Sequence, residues 1–536
     1  MSTESTYDLI VIGAGINGSG IARDASMRGL NVLLVDKGDV ASGTTSWSTR
    51  LIHGGLRYLE HGEIGLVRES LRERERLLAI APHLVKPLPL LIPMYEGDRR
   101  GPVLIRAGMV AYDVLSYDKS LPRHRILGRD ETIRRLPGLG TEGLRGAAMY
   151  YDAQVEYAER LAVENVLSAK DHGCEVRTYH RVDRLVVESG AVVGIEGTSL
   201  HSGATFVERA ACVVNVAGPW VDSVLSGGVA TDRKLIGGTK GSHIVVGGFP
   251  GAPNDALYVE AQSDGRPFFI IPWNGQYLIG TTDDRYDGDL DWVVASDEEI
   301  DYLLAETNRV LPRANLGRRD VRSSYAGVRP LPHREEKSTG AITRRHLLID
   351  HRDHQGVSGL FSIVGGKLTT YRELAELTVD AVVAFLERNV AACETASEPL
   401  PGAEPYEASG AELMNSGERT IDHLRDVYGS RADRVIKIAA ETHLGDIIDE
   451  HSGAIAAEVI YAMREEGATT LADVLLRRTM IGWGPDTGVG ADVRAAEVAQ
   501  RVFGWSNDQR EAAVKAYRRE IERYRPASLT SAAPVV

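Results

Sequence analysis

Gly13, Gly15 and Gly18 form a G-x-G-x-x-G, and Asp36 follows after a helix-like stretch and a second apolar run. That order of residue types suits a dinucleotide. Gly13 permits a tight turn, Gly15 lets backbone approach a pyrophosphate, and Gly18 lets a helix pack close on its strand. The helix N-terminus offers free N–H groups and a positive dipole end to phosphate. Asp36 stands where a ribose hydroxyl needs an acceptor, and an acid there speaks against a 2′-phosphate and so against NADP. A glycine turn without a ligand is the plain alternative. Two flanking strands and the acid together outweigh it.

A second unit of similar kind lies far down the chain. The apolar run at 360–364 leads into Gly365-Gly366-Lys367-Leu368-Thr369-Thr370 and then a helix at 371–388. On its own this is an ordinary turn before a helix. A dinucleotide folded against one sheet, however, can touch both units. The run at 212–216 ends on Ala217-Gly218-Pro219-Trp220 and is a third strand that delivers a backbone turn to a ligand.

The elements that position these residues read as follows. Residues 7–12 and 32–35 are strands and 16–28 a helix. Residues 38–50, rich in Ser, Thr and Gly, form a loop. Residues 62–81 are helical, and 86–94, punctuated by proline, are extended. Residues 99–125 mix apolar and basic side chains, a pattern that fits either a core-facing helix or one lying on an anionic membrane. A helix is expected over 152–172, with short strands at 174–179, 182–188, 191–196, 205–209 and 212–216. Asn274-Gly275 marks a hairpin, and Ser296 with Glu299 a capping box. Helical periodicity returns at 420–428, 432–440, 454–466, 471–480 and 508–523.

The 536 residues carry 61 Lys plus Arg and 75 Asp plus Glu, a formal net charge of −14. Such an acidic surface does not attract nucleic acid, so an anionic substrate needs a local basic pocket. Cys174, Cys212 and Cys393 have neither metal nor disulfide spacing and suit a reducing compartment, and no metal site is expected. No signal peptide and no apolar run of spanning length is visible. Peripheral membrane association stays open.

The stretches IVIGAGINGSGIARDASMRGL and LIHGGLRYLE, with Lys240-Gly241-Ser242-His243, Ile279-Gly280-Thr281-Thr282-Asp283, Tyr325-Ala326-Gly327-Val328-Arg329-Pro330-Leu331 and Gly365-Gly366-Lys367-Leu368-Thr369-Thr370-Tyr371, resemble the FAD-dependent glycerol-3-phosphate dehydrogenases. These belong to the wider group that includes the D-amino acid oxidases. The match runs in order over about residues 7 to 385. It implies non-covalent FAD and oxidation of sn-glycerol 3-phosphate to dihydroxyacetone phosphate. It also implies electrons passed to membrane quinone, and a homodimer on the cytoplasmic membrane surface.

The fold that follows is α/β. A Rossmann-like FAD-binding domain with a parallel sheet is assembled from 1–90, 150–235 and 351–390. An α+β substrate domain on an antiparallel sheet spans 91–149 and 236–350. A linker covers 391–410, an all-α C-terminal domain 411–526, and a tail 527–536.

Alcohol oxidation needs a base for the hydroxyl proton, a hydride acceptor, and charge to stabilise an alkoxide. The acceptor chemistry is the cofactor's. By resemblance, Arg329 stands near the reacting oxygen. Arg57, Tyr58, Arg344 and Lys367 stand nearer the substrate phosphate or the flavin edge. His53 and His243 are both candidates for the base. For FAD, the residues and the resemblance converge on Gly13, Gly15, Gly18 and Asp36. The resemblance adds Ser46, Gly54, Gly55, Val182, Gly218, Trp220, Gly366, Leu368 and Thr369. Three rivals remain: an oxidase using dioxygen, an NAD-dependent dehydrogenase, and a flavin-binding module without catalysis.

Overall fold

The structure, a computed structural model, describes residues 6–60, 62–98, 100–231, 233–334, 345–403 and 417–524. Its first layer grows from strand β1 (Thr6–Ile12), helix α1 (Ile16–Met27) and strand β2 (Val32–Val35). Nearly every residue of both strands is buried, which is why they read as continuous apolar runs rather than alternating ones. β1 lies between β2 and the strand Thr205–Asn215, all parallel, and Leu360–Val364 adds in parallel beyond Thr205–Asn215. Glu175–Arg177 extends the other edge, and Leu347–Asp350 closes the first edge antiparallel. The hairpin His180–Glu188/Ala191–Ser199 branches from Thr205–Asn215, giving eight strands in all.

Register brings the strand ends together. Ile12 stands opposite both Val35 and Asn215, and Asn215 opposite Ser362. Gly13, Asp36, Val216 and Gly365 therefore leave the sheet at one edge, the carboxyl edge where open α/β sheets bind ligands. α1 packs between helices Ala158–Asp171 and Tyr371–Leu386 on one face. Gly20 makes this approach possible, since a Cβ there would lie 2.7 Å from the Tyr371 ring.

A second, ten-stranded sheet is antiparallel apart from the pairing of Ala256–Glu260 with Val85–Tyr95. One face, with Ile244, Ile270 and Ile279, packs on helix Asp297–Val310, whose capping box is formed by Ser296 and Glu299. The opposite face, with Val245, Ile271 and Leu278, shares a core with the C-terminal helices. Asn274 and Gly275 turn the Pro267–Trp273/Gln276–Gly280 hairpin with positive φ of 49° and 65°.

The C-terminal unit contains helices Glu418–Tyr428, Ala432–Thr442, Ala456–Arg464, Ala491–Phe503 and Asn507–Ile521, with a small hairpin of Ile447–Asp449 and Ala454–Ile455. Buried ion pairs stitch the units together. Arg160 meets Glu466 at 2.7 Å and Arg50 meets Glu159 at 2.7 Å, with the Arg50 guanidinium 4.8 Å from the rings of both Trp273 and Trp483.

Three of the expected elements differ from the sequence reading. The helix expected from 152 begins later, at Ala158, because residues 152–155 complete a long strand, Leu144–Val155. Asp152 is held there by the Tyr112 hydroxyl at 2.8 Å and Arg74 Nη1 at 2.6 Å. The separate strands at 205–209 and 212–216 are one continuous strand. The helix expected at 471–480 holds a π-helical turn, Asp473–Arg478. Residues 404–416 and the tail at 527–536 lie outside the described residues.

Candidate active site and cofactor cleft

The carboxyl edge of the first sheet opens into a cavity of about 1120 Å³, lined by Gly13, Gly15, Asn17, Asp36, Gly218, Trp220, Gly366 and Leu368. That is slightly more than the roughly 300–1,000 Å³ of ordinary small-molecule sites. Backbone makes its floor. Gly13 has φ +113°, and a Cβ there would lie 2.7 Å from the Val216 carbonyl oxygen. A Cβ on Gly18 would fall 1.8 Å from the Gly13 carbonyl oxygen. Gly15 stands at the N-cap of α1 and has no side chain to cap it; the Ile16 N–H donates to Thr45 Oγ1 at 3.0 Å. The nearest atom to a Cβ at Gly15 is Thr45 Oγ1, at 3.3 Å.

The two glycine units meet through Asn17, which the sequence reading passed over. Asn17 Nδ2 donates to the Gly365 carbonyl at 3.4 Å, while its Oδ1 is buried with no partner among the described residues. Gly366 has φ +100°, and a Cβ on it would lie 2.5 Å from Asn17 Nδ2. An unpaired buried acceptor and glycine backbone on two sides, at a helix N-terminus, fit an elongated dinucleotide.

Asp36 is half-buried at the other end of this wall. Its carboxylate accepts from Ala14 N at 2.6 Å and Gly38 N at 2.7 Å. Burial pushes its pKa up, and these two amides hold it back. Val182 lines the cavity beside Arg181 and Leu200. Trp220 carries the Lys37 ammonium 4.1 Å from its ring centroid. Ser46, Gly54, Gly55 and Thr369 are buried and are not among the residues bounding the cavity. The Ser46 hydroxyl donates to the Ala41 carbonyl, and Gly54 N donates to the Tyr112 hydroxyl.

Lys367 borders the cavity at the far end, 4.2 Å above the Tyr58 ring and within 3.2 Å of Ser70 Oγ. His53 is adjacent, its backbone N–H donating to Thr369 Oγ1 at 3.2 Å. Burial lowers the His53 pKa; Asp152 opposes this and Lys367 reinforces it. The His53 ring contacts Phe269 with centroids 6.3 Å apart. From Phe269 the strand register runs through Gly280 to His243 and on to Tyr325. His53 and His243 are thus joined by one row across the second sheet.

His243 is 1% exposed and stacks on Tyr325 at 4.8 Å. Its Nε2 pairs with Thr49 Oγ1 at 2.9 Å, and its Nδ1 is buried without a partner among the described residues. Burial holds its pKa well below the ordinary imidazole value, with Arg329 and then Arg50 adding to the effect. A Cβ on Gly280 would lie 2.4 Å from the His243 ring, so glycine there makes room for the imidazole. Arg329 is oriented by Asp283 Oδ1 at 3.1 Å, Thr281 Oγ1 at 3.0 Å and the Thr282 carbonyl at 3.1 Å. Arg344 and the Arg57 side chain lie outside the described residues.

Residues 8–380 match the family of FAD-dependent oxidoreductases, and 393–510 match the C-terminal domain of alpha-glycerophosphate oxidase. The chain is 50% identical to a glycerol-3-phosphate dehydrogenase of Synechocystis sp., covering 97% of each chain. It is 38% identical to one of Mycobacterium leprae, covering 96% of this chain and 88% of that one. A solved glycerol-3-phosphate dehydrogenase from Bacillus halodurans, complexed with FAD, superposes with a TM-score of 0.77 at 30% identity, covering 97% of this chain and 96% of that one. An L-alpha-glycerophosphate oxidase from Mycoplasma pneumoniae shares the fold, with a TM-score of 0.57 at 17% identity over 74% of this chain and 99% of that one.

Gly366→Ala tests the meeting of the two glycine units. A Cβ there strains a positive φ and displaces Asn17. Equilibrium dialysis should find dinucleotide affinity down about tenfold or more, a loss of about 1.4 kcal/mol or more. Unchanged affinity would remove the second unit from the cleft.

Proposed function

The chain belongs to the FAD-dependent glycerol-3-phosphate dehydrogenases, and on that premise we propose that it oxidises sn-glycerol 3-phosphate to dihydroxyacetone phosphate and delivers the electrons to a membrane quinone. The observation that carries the chemistry is the row between the two cations: Lys367 beside His53 at one end, and Arg329 beside His243 at the other. A small phosphorylated alcohol presents both a dianion and a hydroxyl to such a row.

Bound FAD supplies the hydride acceptor, N5 of the flavin. The chain supplies the rest. Arg329, aimed by Asp283, Thr281 and Thr282, stabilises negative charge developing on the substrate oxygen. Lys367 meets the phosphate as a point charge, and Tyr58 sits beneath its ammonium. We assign the base to His243. It is the imidazole that feels Arg329, its Nδ1 has no other partner, and burial keeps it neutral and so able to accept a proton. His53 keeps a second neutral imidazole at the Lys367 end.

The membrane side of the proposal is supported by helix Pro102–Leu115. It buries only Met109 and Tyr112. Val103, Val110 and Val114 are 81%, 53% and 64% exposed and, with Ala107, form one stripe along the helix. Leu104 and Tyr117 are also exposed, and Arg106, Arg123 and Arg125 stand nearby in solvent. An apolar stripe with basic neighbours suits insertion into the headgroup region of an anionic bilayer. No helix among the described residues is long and apolar enough to cross a membrane.

Two outcomes are expected for the base. His243→Asn loses about 10²-fold or more in turnover with FAD retained, and His53→Asn loses much less. Because the folded-state pKa of His243 is depressed, the imidazole stays unprotonated further into acid. The acid limb of kcat/KM then lies below the ordinary value of about 6.5, and an acid limb above it, or equal small losses in both variants, contradicts the assignment.

The acceptor and membrane assignments have their own readouts. Enzyme reduced by substrate is expected to reoxidise faster with a soluble quinone than with dioxygen in stopped flow; the reverse order identifies an oxidase. Val103→Glu/Val110→Glu should weaken co-sedimentation with phosphatidylglycerol vesicles by about tenfold or more. Undiminished sedimentation would move the contact elsewhere.

A further inference from the structure

We propose that the C-terminal helical domain is a wall of the cofactor cleft, and that Asp39, Arg477 and Arg478 are positioning residues that lock it to the loop after β2. The inference rests on assigning the cleft to FAD.

Asp36 marks the ribose end of the cleft. The adjoining backbone is tied to it, with His180 N donating to the Asp36 carbonyl at 2.8 Å and Tyr179 N to the Gly38 carbonyl at 3.0 Å. Thr469, Thr470, Leu471 and Ala472, all from the C-terminal domain, line the cavity at this end, Thr470 beside Tyr179 and Thr469 beside His201. The helix Asn507–Ile521 borders the same cavity through Ala512, Ala513 and Ala516. The cleft that begins at the first glycine turn is thus closed by residues more than four hundred positions later in the chain.

One buried network fixes the two sides. Asp39 Oδ2 accepts from Arg477 Nε at 2.7 Å and Arg478 Nη1 at 2.8 Å, and its Oδ1 from Arg478 Nη2 at 2.8 Å. The side chains of Asp39 and Arg478 are 0% and 1% exposed. Arg477 also holds Asp473 Oδ1 at 2.6 Å, which accepts from the Tyr179 hydroxyl at 2.6 Å. Asp473 Oδ2 accepts from Thr469 N at 2.8 Å and Thr470 N at 2.9 Å. From Asp39 the buried links run through the two arginines to Asp473 and the wall.

Interdomain adhesion alone does not call for this arrangement. Buried charges cost several kcal/mol each to desolvate, and apolar packing often holds two units together as well or better. What a bidentate guanidinium adds is fixed geometry. The π-helical turn Asp473–Arg478 turns consecutive arginines onto one carboxylate, and such turns are frequent at functional sites.

The test uses the holoenzyme and two variants. Ala472→Phe projects bulk into the cleft without touching a buried charge; Arg478→Met removes one fork from Asp39. FAD release after dilution is followed by flavin fluorescence, together with the visible spectrum of the bound fraction and the thermal midpoint. Ala472→Phe should release FAD about tenfold faster or more, with the spectrum unchanged because the flavin ring would lie at the Lys367 end. Arg478→Met should behave alike, and if it does not fold Ala472→Phe decides alone. Release within about twofold of wild type overturns the proposal. So does faster release accompanied by an altered spectrum and a lowered midpoint, which marks general loosening. A wild-type protein without flavin would defeat the FAD assignment itself, a different failure.

Discussion

The structure depends on a crowding of backbone at the carboxyl edge of the first sheet. Gly18 sits against the Gly13 carbonyl, Gly13 against the Val216 carbonyl, and Gly366 against Asn17, with no space for a Cβ at any of the three. Side chains are excluded there, so amides and one carboxamide define the floor. Parallel register places four strand ends in reach of that floor, and Leu290, Pro330, residues 469–472, Ala512, Ala513 and Ala516 border the same cavity. A site made of backbone is rigid, since it cannot rearrange by rotamer changes, and it presents donors at fixed positions to phosphate.

Electrostatics at the other end follows from burial rather than from overall charge. The chain is acidic by 14 units, yet Lys367 and Arg329 flank one row of side chains. Both histidines in that row are kept neutral chiefly by desolvation, with the nearby cations contributing. Burial and fixed positive charge both disfavour the imidazolium form there. In the proposed reaction such a neutral imidazole accepts a proton while the cations stabilise the anion left behind.

Local chemistry made much of this legible in the sequence. The strand–glycine–helix–strand–acid order, the Asn274-Gly275 turn and the Ser296 capping box each follow from neighbours a few residues apart. Asp152 was misread because the helix signal after it is strong, while the forces that keep it in a strand, Tyr112 and Arg74, come from distant segments. Thr205–Asn215 was split because its exposed first half and buried second half look like two elements. Asn17 occupies a variable position of the glycine motif, and only the fold brings Gly365 to it. Helix Ala491–Phe503 was not identified, and nothing local pairs Asp39 with Arg477 and Arg478.

Membership in the FAD-dependent glycerol-3-phosphate dehydrogenases and the cleft geometry lead to a single central claim: the cleft holds FAD with its reactive ring at the Lys367–Arg329 row, where glycerol 3-phosphate reacts. Anaerobic titration of the purified, flavin-loaded protein with glycerol 3-phosphate tests it most directly. The account predicts that the oxidised flavin band bleaches, with an endpoint near about one substrate per bound flavin. A flavin-loaded protein whose band is unmoved by excess glycerol 3-phosphate would contradict it.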